Sequence, residues 1–163
     1  TCSGMKQLTT QGIVLARTDF QEADRIVTMI TPDHGKLRLI AKGVRRSKSK
    51  LAGGLELFSI SDLTYIKGRS EIVTLVSARL DRHFANIVKD IDRTMLGYDF
   101  LKRMNKITED QPEPAYFDIT KQVLAGLDEK QIEANLVELW FSMQLLKVGG
   151  HMPNLRTSTD GEL

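Results

Sequence analysis

The hydrophobic period of this 163-residue chain changes once, near Arg82, and that change constrains the fold more than any other feature. Before Arg82, short segments alternate apolar and polar residues with a period of two, which is typical of strands with one buried face. After Arg82, apolar residues recur every three or four positions, as on one face of an α-helix. The sequence therefore predicts an α+β fold in which a strand-rich unit precedes a helical unit.

Five strands are predicted before Arg82, each bounded by glycine, proline or a polar turn. They cover residues 8–17, 25–31, 35–42, 55–66 and 71–79. Five short strands joined by tight turns indicate either a small closed barrel or a sandwich.

Three helices are predicted after Arg82. The first covers residues 84–107, and its expected core face is formed by apolar residues at helical spacing: Phe84, Ile87, Val88, Ile91, Met95, Tyr98, Leu101 and Met104. Pro114 suits the first turn of the second helix. Asp128 and Gln131 resemble a capping box for the third helix, which should end at Gly149. This third helix is apolar around most of its girth, so it should be buried on two sides or covered by another protein surface.

The predicted third strand and the loop after it are strongly basic. Residues 35–50 contain no acid and carry seven cations: Lys36, Arg38, Lys42, Arg45, Arg46, Lys48 and Lys50. Like charges this close repel one another, and a bound polyanion would relieve the repulsion. The alternative interpretation is a solvated strand face followed by a mobile loop.

The net charge of +2 conceals an asymmetry between the two halves. Residues 1–80 carry 13 Lys and Arg against 7 Asp and Glu, whereas residues 81–163 carry 10 against 14. Two units with different partners would explain this distribution.

The sequence offers little for catalysis or metal binding. Its three histidines, at positions 34, 83 and 151, fall in different predicted elements, and none has metal-ligand spacing to another ligand. No phosphate-binding glycine motif is present. We therefore expect no enzyme activity, no cofactor and no metal.

No segment has the length and apolarity of a membrane span or a signal peptide, and the single Cys2 excludes an internal disulfide.

Several linked motifs carry a resemblance to a known family. They are Gly12-Ile-Val-Leu15, Glu22-Ala-Asp-Arg-Ile-Val27, Thr31-Pro-Asp-His-Gly-Lys-Leu-Arg38, Ala41-Lys-Gly-Val-Arg-Arg46, Lys48-Ser-Lys50 and Leu55-Glu-Leu-Phe58. Together they resemble the RecO family of bacterial recombination mediators. The match is dense over residues 7–80 and looser along the helices.

The resemblance implies a five-stranded OB-fold β-barrel, a nucleic-acid-binding domain at residues 5–81, and an α-helical domain at residues 82–150. We expect residues 1–4 to be an added leader before a natural start at Met5. The family implies binding of single- and double-stranded DNA, ATP-independent annealing of complementary strands, and loading of the recombinase on strands coated by single-strand-binding protein. The implied partners are RecR and the C-terminal tail of the coating protein, and the implied location is the bacterial cytoplasm, at the nucleoid.

The family's DNA-contacting basic residues correspond here to Arg17, Arg25, Lys36, Arg38, Lys42, Arg45, Arg46, Lys48 and Lys50. Phe20 and Tyr65 are candidates for base stacking, although burial in the barrel is the competing expectation for both. Trp140 and Phe141 are interpreted as core residues rather than as a peptide pocket.

The chain departs from the family pattern in its polar tail, residues 151–163. Many members place four zinc-binding cysteines after a Gly-x-x-Pro-x-Leu stretch, but Thr157 and Asp160 stand where the first cysteine pair would be. We therefore expect no structural zinc. Further helices usually follow in the family, so a longer C-terminal region is expected to be missing at this tail.

Two other functions remain open at the level of sequence. The barrel could serve mainly as a protein-interaction scaffold for a partner such as RecR, or the chain could be an RNA-binding OB-fold protein.

Overall fold

A computed structural model describes residues 5–46, 48–108 and 113–149. It contains five strands followed by three α-helices: β1 (Lys6–Phe20), β2 (Asp24–Thr31), β3 (Gly35–Ala41), β4 (Ser59–Lys67), β5 (Ile72–His83), α1 (Ile91–Ile107), α2 (Pro114–Asp128) and α3 (Ala134–Gly149). None of the helices in the described ranges combines the length and apolarity needed to cross a bilayer.

The strands close into a barrel in the order β1-β2-β3-β5-β4. All neighbouring strands are antiparallel except β3 and β5, which pair in parallel through Arg38–Ile72, Leu39–Val73 and Ile40–Thr74. A closed five-stranded barrel is one of the two alternatives that the strand pattern left open, and the OB-fold that the resemblance implied is confirmed.

Alternation along β3 separates the barrel core from its surface, as predicted. Leu39 and Ala41 are fully buried inside the barrel, with Leu37 packed against the same core, whereas Arg38 is exposed on the outer face. The barrel interior is completed by apolar residues from the other four strands and from the segment between β3 and β4: Val14, Val27, Met29, Val44, Leu55, Leu63, Tyr65, Val73 and Leu75.

A second core lies between the outer face of the barrel and the helices. Ile13, Leu15, Ile30 and Ile60 supply the barrel side. The helical side is supplied by residues of all three helices, among them Leu101, Met104, Phe117, Leu124, Phe141 and Leu145. One apolar cluster therefore joins the two parts of the chain.

The fourth strand begins four residues later than predicted. A short 3-10 turn occupies Ala52–Gly54, and Phe58 has a φ of 58°, so the chain is not extended before Ser59. The Phe58 carbonyl oxygen accepts a hydrogen bond from the Phe84 amide at 2.9 Å, and the ring is fully buried against the helices. An aromatic residue in the left-handed region is unusual, and packing on all sides fixes it there.

The first helix also begins later than predicted, at Ile91 rather than directly after Arg82. β5 continues to His83, and a 3-10 turn at Ile87–Lys89 follows. The Asp90 carboxylate then caps α1 by accepting hydrogen bonds from the amides of Asp92 and Arg93, at 2.9 and 3.2 Å.

The predicted core face of the first helix is only partly correct. Phe84, Ile87, Leu101 and Met104 are buried, but Val88, Ile91, Met95 and Tyr98 are at least half exposed. The helix instead turns Gly97, Phe100, Leu101 and Met104 inward. Because Phe84 and Ile87 precede the helix, the apparent eight-residue stripe combines positions that do not share one helical face.

The predicted capping box of the third helix is wrong. Asp128 is the last residue of α2, and its carboxylate accepts a hydrogen bond from the Asn86 amide at 2.8 Å. α3 begins at Ala134. Its Val137, Phe141 and Leu145 are buried, whereas Leu136, Leu139 and Met143 are more than half exposed. Pro114 does occupy the first turn of α2, as predicted.

Gly97 permits the close approach of α1 to Phe58, and we expect Gly97→Ala to destabilise the protein. An added Cβ would lie 2.6 Å from Phe58 Cε1 and 2.9 Å from Cζ. Alanine normally stabilises a helix interior by about 1 kcal/mol relative to glycine, but overpacking against a fixed ring should lower the free energy of unfolding by about 1–3 kcal/mol. Chemical denaturation measures the difference.

Gly53→Ala is the matched control, since nothing lies within 4 Å of its added Cβ. Its effect should stay within about 0.5 kcal/mol. A gain of stability in Gly97→Ala would contradict the packing argument.

Candidate nucleic-acid interface

The predicted cations of β3 lie on the outer face of the barrel but in different surroundings. Arg38, paired with Thr28 on β2, is exposed. Lys36 lies closer to the helices, where its ammonium donates to the Asn105 carbonyl oxygen at 2.9 Å and to Asn105 Oδ1 at 3.3 Å. Lys36 therefore ties β3 to the end of α1, and binding to a phosphate would have to compete with that contact.

The segment after β3, residues 42–50, is called the basic loop. Two backbone amides hold its beginning against the start of β2 and the turn before it: the Gly43 amide donates to Asp24 Oδ1 at 2.8 Å, and the Arg45 amide donates to the Ala23 carbonyl oxygen at 3.0 Å. Val44 is buried in the barrel core. The loop is thus anchored at Val44, and the cations on either side of it are exposed.

Asp19 on β1 lies between two of the predicted DNA-binding arginines. Its carboxylate oxygens are 3.0 Å from Arg25 Nε and 3.7 Å from Arg45 Nε. Arg45 also donates to the Gln21 carbonyl oxygen at 3.4 Å. These contacts bring β1, β2 and the basic loop together, and they neutralise one of the two positive charges.

The remaining predicted cations differ in their contacts. Arg17 is exposed and donates to the Leu55 carbonyl oxygen at 3.3 Å. Within the part of the chain that the structure describes, no side-chain ion pair or hydrogen bond occupies Arg38, Lys42, Arg46, Lys48 or Lys50, and all five are exposed. These five are the charges most readily available to an anion.

The two aromatic candidates for base stacking, Tyr65 and Phe20, differ in their burial. Tyr65 is 1% exposed inside the barrel, where burial raises the pKa of its hydroxyl, so it is a core residue. Phe20 is 37% exposed at the end of β1, next to the β1–β2 turn. Phe20 therefore remains a candidate for stacking. In α3, Phe141 is buried in the shared core, and Trp140 packs against it.

Sequence reasoning missed a cleft between the barrel and α1. It has a volume of about 310 Å³ and is lined by Leu15, Ala16, Arg17, Leu57, Tyr98, Leu101, Lys102 and Asn105. Tyr98 was assigned to the helix core, and Lys102 carried no motif. The exposed positions of Arg17, Tyr98 and Lys102 in the folded chain show that this region is a surface.

No metal site is evident among residues 5–46, 48–108 and 113–149, where no three His, Cys, Asp or Glu side chains converge. The tail positions Thr157 and Asp160, on which the zinc expectation depends, lie outside the described residues. The absence of zinc therefore stays a prediction.

Asp19→Asn should strengthen binding of single-stranded DNA, because it frees Arg25 and Arg45 from an internal competitor for phosphate. One additional effective charge corresponds to a gain of about fivefold at an ionic strength of about 0.1 M, since each phosphate contact contributes about 0.7 to the salt slope on single strands. Fluorescence anisotropy of a labelled oligonucleotide measures the affinity.

Asp62→Asn on β4 is the matched control, because it also removes a carboxylate paired with an arginine, 3.5 Å from Arg79 Nη2. It should leave the affinity unchanged. If Asp19→Asn bound single-stranded DNA more weakly than the parent, Asp19 would position the two arginines instead of competing with phosphate for them.

Two family models match consecutive parts of the chain. The model of the recombination protein O N-terminal region matches residues 5–84, and that of the C-terminal region matches residues 89–161. Among curated proteins, the DNA repair protein RecO of Dehalococcoides mccartyi is 32% identical over 148 residues, which is 90% of this chain and 58% of that protein.

The proteins of the same name in Listeria innocua and Desulfatibacillum aliphaticivorans give similar results. The Listeria innocua protein is 32% identical over 89% of this chain and 56% of its own length. The Desulfatibacillum aliphaticivorans protein is 29% identical over 93% of this chain and 60% of its own length. The chain thus spans less than two thirds of the length of these relatives. Both family models together cover the barrel and the helices, and the chain belongs to the recombination protein O family, RecO.

Proposed function

We propose that this chain acts in DNA repair and recombination by binding DNA through the outer face of β3 and the basic loop. The observation that carries the proposal is the group of five exposed cations without side-chain partners in the described residues: Arg38, Lys42, Arg46, Lys48 and Lys50. OB-folds bind oligonucleotides across strands 2 and 3 and the neighbouring loops. The relatives named DNA repair proteins support DNA as the polyanion.

The proposed mechanism is electrostatic. Cations that track the backbone release counterions, which makes binding strongly dependent on salt and nearly independent of sequence. Two complementary strands held this way repel each other less, so they can pair without ATP. Annealing of this kind requires proximity and charge neutralisation but no catalytic side chain.

Family membership supports the finer parts of the proposal. We include loading of the recombinase on DNA coated by single-strand-binding protein, with RecR and the acidic tail of the coating protein as partners. A cytoplasmic, nucleoid-associated location follows from DNA as the substrate. Because the chain spans only part of its relatives, each partner needs its own binding measurement.

The direct test is titration of labelled single-stranded DNA, duplex DNA and single-stranded RNA at several salt concentrations. With four to six phosphates engaged, the logarithm of the affinity for single-stranded DNA should fall against the logarithm of salt with a slope of about −3 to −4. Mixed oligonucleotides of equal length should bind alike.

An affinity for DNA that does not change with salt concentration would contradict the electrostatic proposal. Much tighter binding of RNA than of DNA would favour an RNA-binding protein, and absence of nucleic-acid binding together with tight binding of RecR would favour the interaction scaffold.

A further inference from the structure

The cleft between the barrel and α1 has a lining suited to a nucleotide. Arg17 and Lys102 are exposed cations on opposite walls, one on β1 and the other on α1. None of the eight lining side chains is acidic. The cleft therefore combines an apolar floor of Leu15, Leu57 and Leu101 with positive charge at its walls.

Tyr98 supplies an aromatic surface in this cleft. Its side chain is 51% exposed, although tyrosine usually buries most of its ring. Phe58 braces it, with the two ring centroids 5.3 Å apart and the rings inclined at 53°. Because Phe58 is fully buried and Gly97 brings α1 close to it, Tyr98 is held on a rigid support. A fixed, half-exposed aromatic ring is a good platform for a nucleobase.

The other end of the cleft is also polar. Asn105 lines it, and its Oδ1 and carbonyl oxygen both accept hydrogen bonds from the Lys36 ammonium. This arrangement fixes the Asn105 amide beside Lys102 and brings a third cation close to the cleft. A phosphate entering here would meet positive charge from β1, β3 and α1.

The cleft borders the segment that follows the basic loop along the chain. Arg17, which lines the cleft, donates to the Leu55 carbonyl oxygen, and Leu57 from the same segment lies in the cleft wall. Leu55 and Leu57 follow the basic loop along the chain before β4 begins. Arg17 also precedes Asp19 by two positions on β1, and Asp19 contacts Arg45 of the basic loop. We therefore expect a strand bound along the loop cations to reach the cleft past Arg17.

We propose that this cleft holds one unpaired nucleotide of a bound single strand, with the base against Tyr98 and its phosphates beside Arg17 and Lys102. The proposal rests on the proposed function, because it extends the same DNA path. A paired base inside a duplex cannot stack on Tyr98, so the cleft adds affinity for single strands alone. It thereby gives the chain a preference for unpaired DNA that the loop cations do not provide.

The first test replaces the aromatic ring. Tyr98→Leu keeps the apolar bulk but removes the stacking surface, and it should weaken binding of oligo-dT about tenfold. Its salt slope and its affinity for duplex DNA should stay unchanged, because no phosphate contact is lost. Tyr98→Phe should bind like the parent, and so should Met95→Leu, a change at another exposed position of α1 outside the cleft. Melting temperatures verify that the variants are folded.

The second test concerns the phosphate contact. Lys102→Gln should reduce the salt slope for single-stranded DNA by about 0.7. Lys106→Gln is the matched control, since Lys106 is also exposed on α1 but does not line the cleft. Irradiation with DNA containing 5-iodouracil should cross-link the peptide that contains Tyr98, which mass spectrometry identifies.

The outcomes separate the two proposals. Absence of single-strand binding by the parent protein overturns both. The cleft proposal alone is wrong if the parent binds single-stranded DNA, Tyr98→Leu binds it with the same affinity, and Lys102→Gln has the same salt slope. If both variants bind DNA normally but lose affinity for an oligo-aspartate peptide, the cleft belongs to an acidic protein partner and the nucleotide proposal is wrong.

Discussion

Replacing Arg46, Lys48 and Lys50 with glutamate should lower the affinity for single-stranded DNA about a hundredfold at an ionic strength of about 0.1 M. Each phosphate contact contributes about 0.7 to the salt slope on single strands, so three lost contacts reduce the slope by about 2. If the parent and the variant bind equally weakly at about 1 M salt, their affinities therefore differ about a hundredfold at about 0.1 M. The three residues are exposed and have no ionic partner among the described residues, so folding should be unaffected. Anisotropy titrations and melting temperatures check both parts.

The matched control reverses three exposed lysines of the helical part, Lys121, Lys130 and Lys147. This variant changes the net charge equally, so a difference between the two triple variants reports on position rather than on total charge. If both lose the same affinity, the interaction is a general attraction to a basic protein. If the loop variant is folded and binds like its parent, the basic loop is only solvated, and the interaction-scaffold function gains support.

Arg93→Met should cause the largest loss of stability from a single change that we expect. Arg93 is only 9% exposed, and its guanidinium donates to the carbonyl oxygens of Leu127, Glu129, Lys130 and Ile132. Methionine keeps the apolar stem but removes the guanidinium from these four carbonyl oxygens, which lie in the last turn of α2 and in the segment after it. The free energy of unfolding should fall by about 3–5 kcal/mol, which lowers the melting temperature by about 10 °C.

Arg103→Met is the control within the same helix. Arg103 pairs with Asp99 and Glu138 at 2.9 and 3.0 Å, but its side chain is 29% exposed and solvent screens both pairs. Its loss should cost about 1 kcal/mol or less. If the two variants lost the same free energy of unfolding, the four carbonyl contacts of Arg93 would contribute no more than the two exposed ion pairs of Arg103.

The parts of the fold that follow local rules were predictable from the sequence. The alternation in β3 placed Leu39 and Ala41 inside and Arg38 outside, and Pro114 correctly marked the start of α2. Each depends on residues within a few positions of one another, where periodicity and backbone restrictions act directly.

The contacts that shape the candidate interface join distant residues and lacked such a signal. Asp19 meets Arg45 only because the β1–β2 turn packs on the basic loop, and Lys36 meets Asn105, 69 positions away, only after α1 has docked on the barrel. Arg93 binds backbone carbonyls, which every residue has, so its partners leave no trace in the sequence. The positive φ of Phe58 has no local explanation either, because the surrounding packing imposes it.

The apolar cluster that unites the barrel face with the helices has a thermodynamic consequence. Although two family models meet between residues 84 and 89, the core crosses that border, with Ile13, Ile30 and Ile60 on one side and Leu101 and Phe141 on the other. Because this cluster contains residues of both halves, we expect the two halves to unfold in one cooperative transition, as most small domains do. Trp140, the single tryptophan, packs on this cluster, so its fluorescence in the third helix should report the melting of the β-barrel as well.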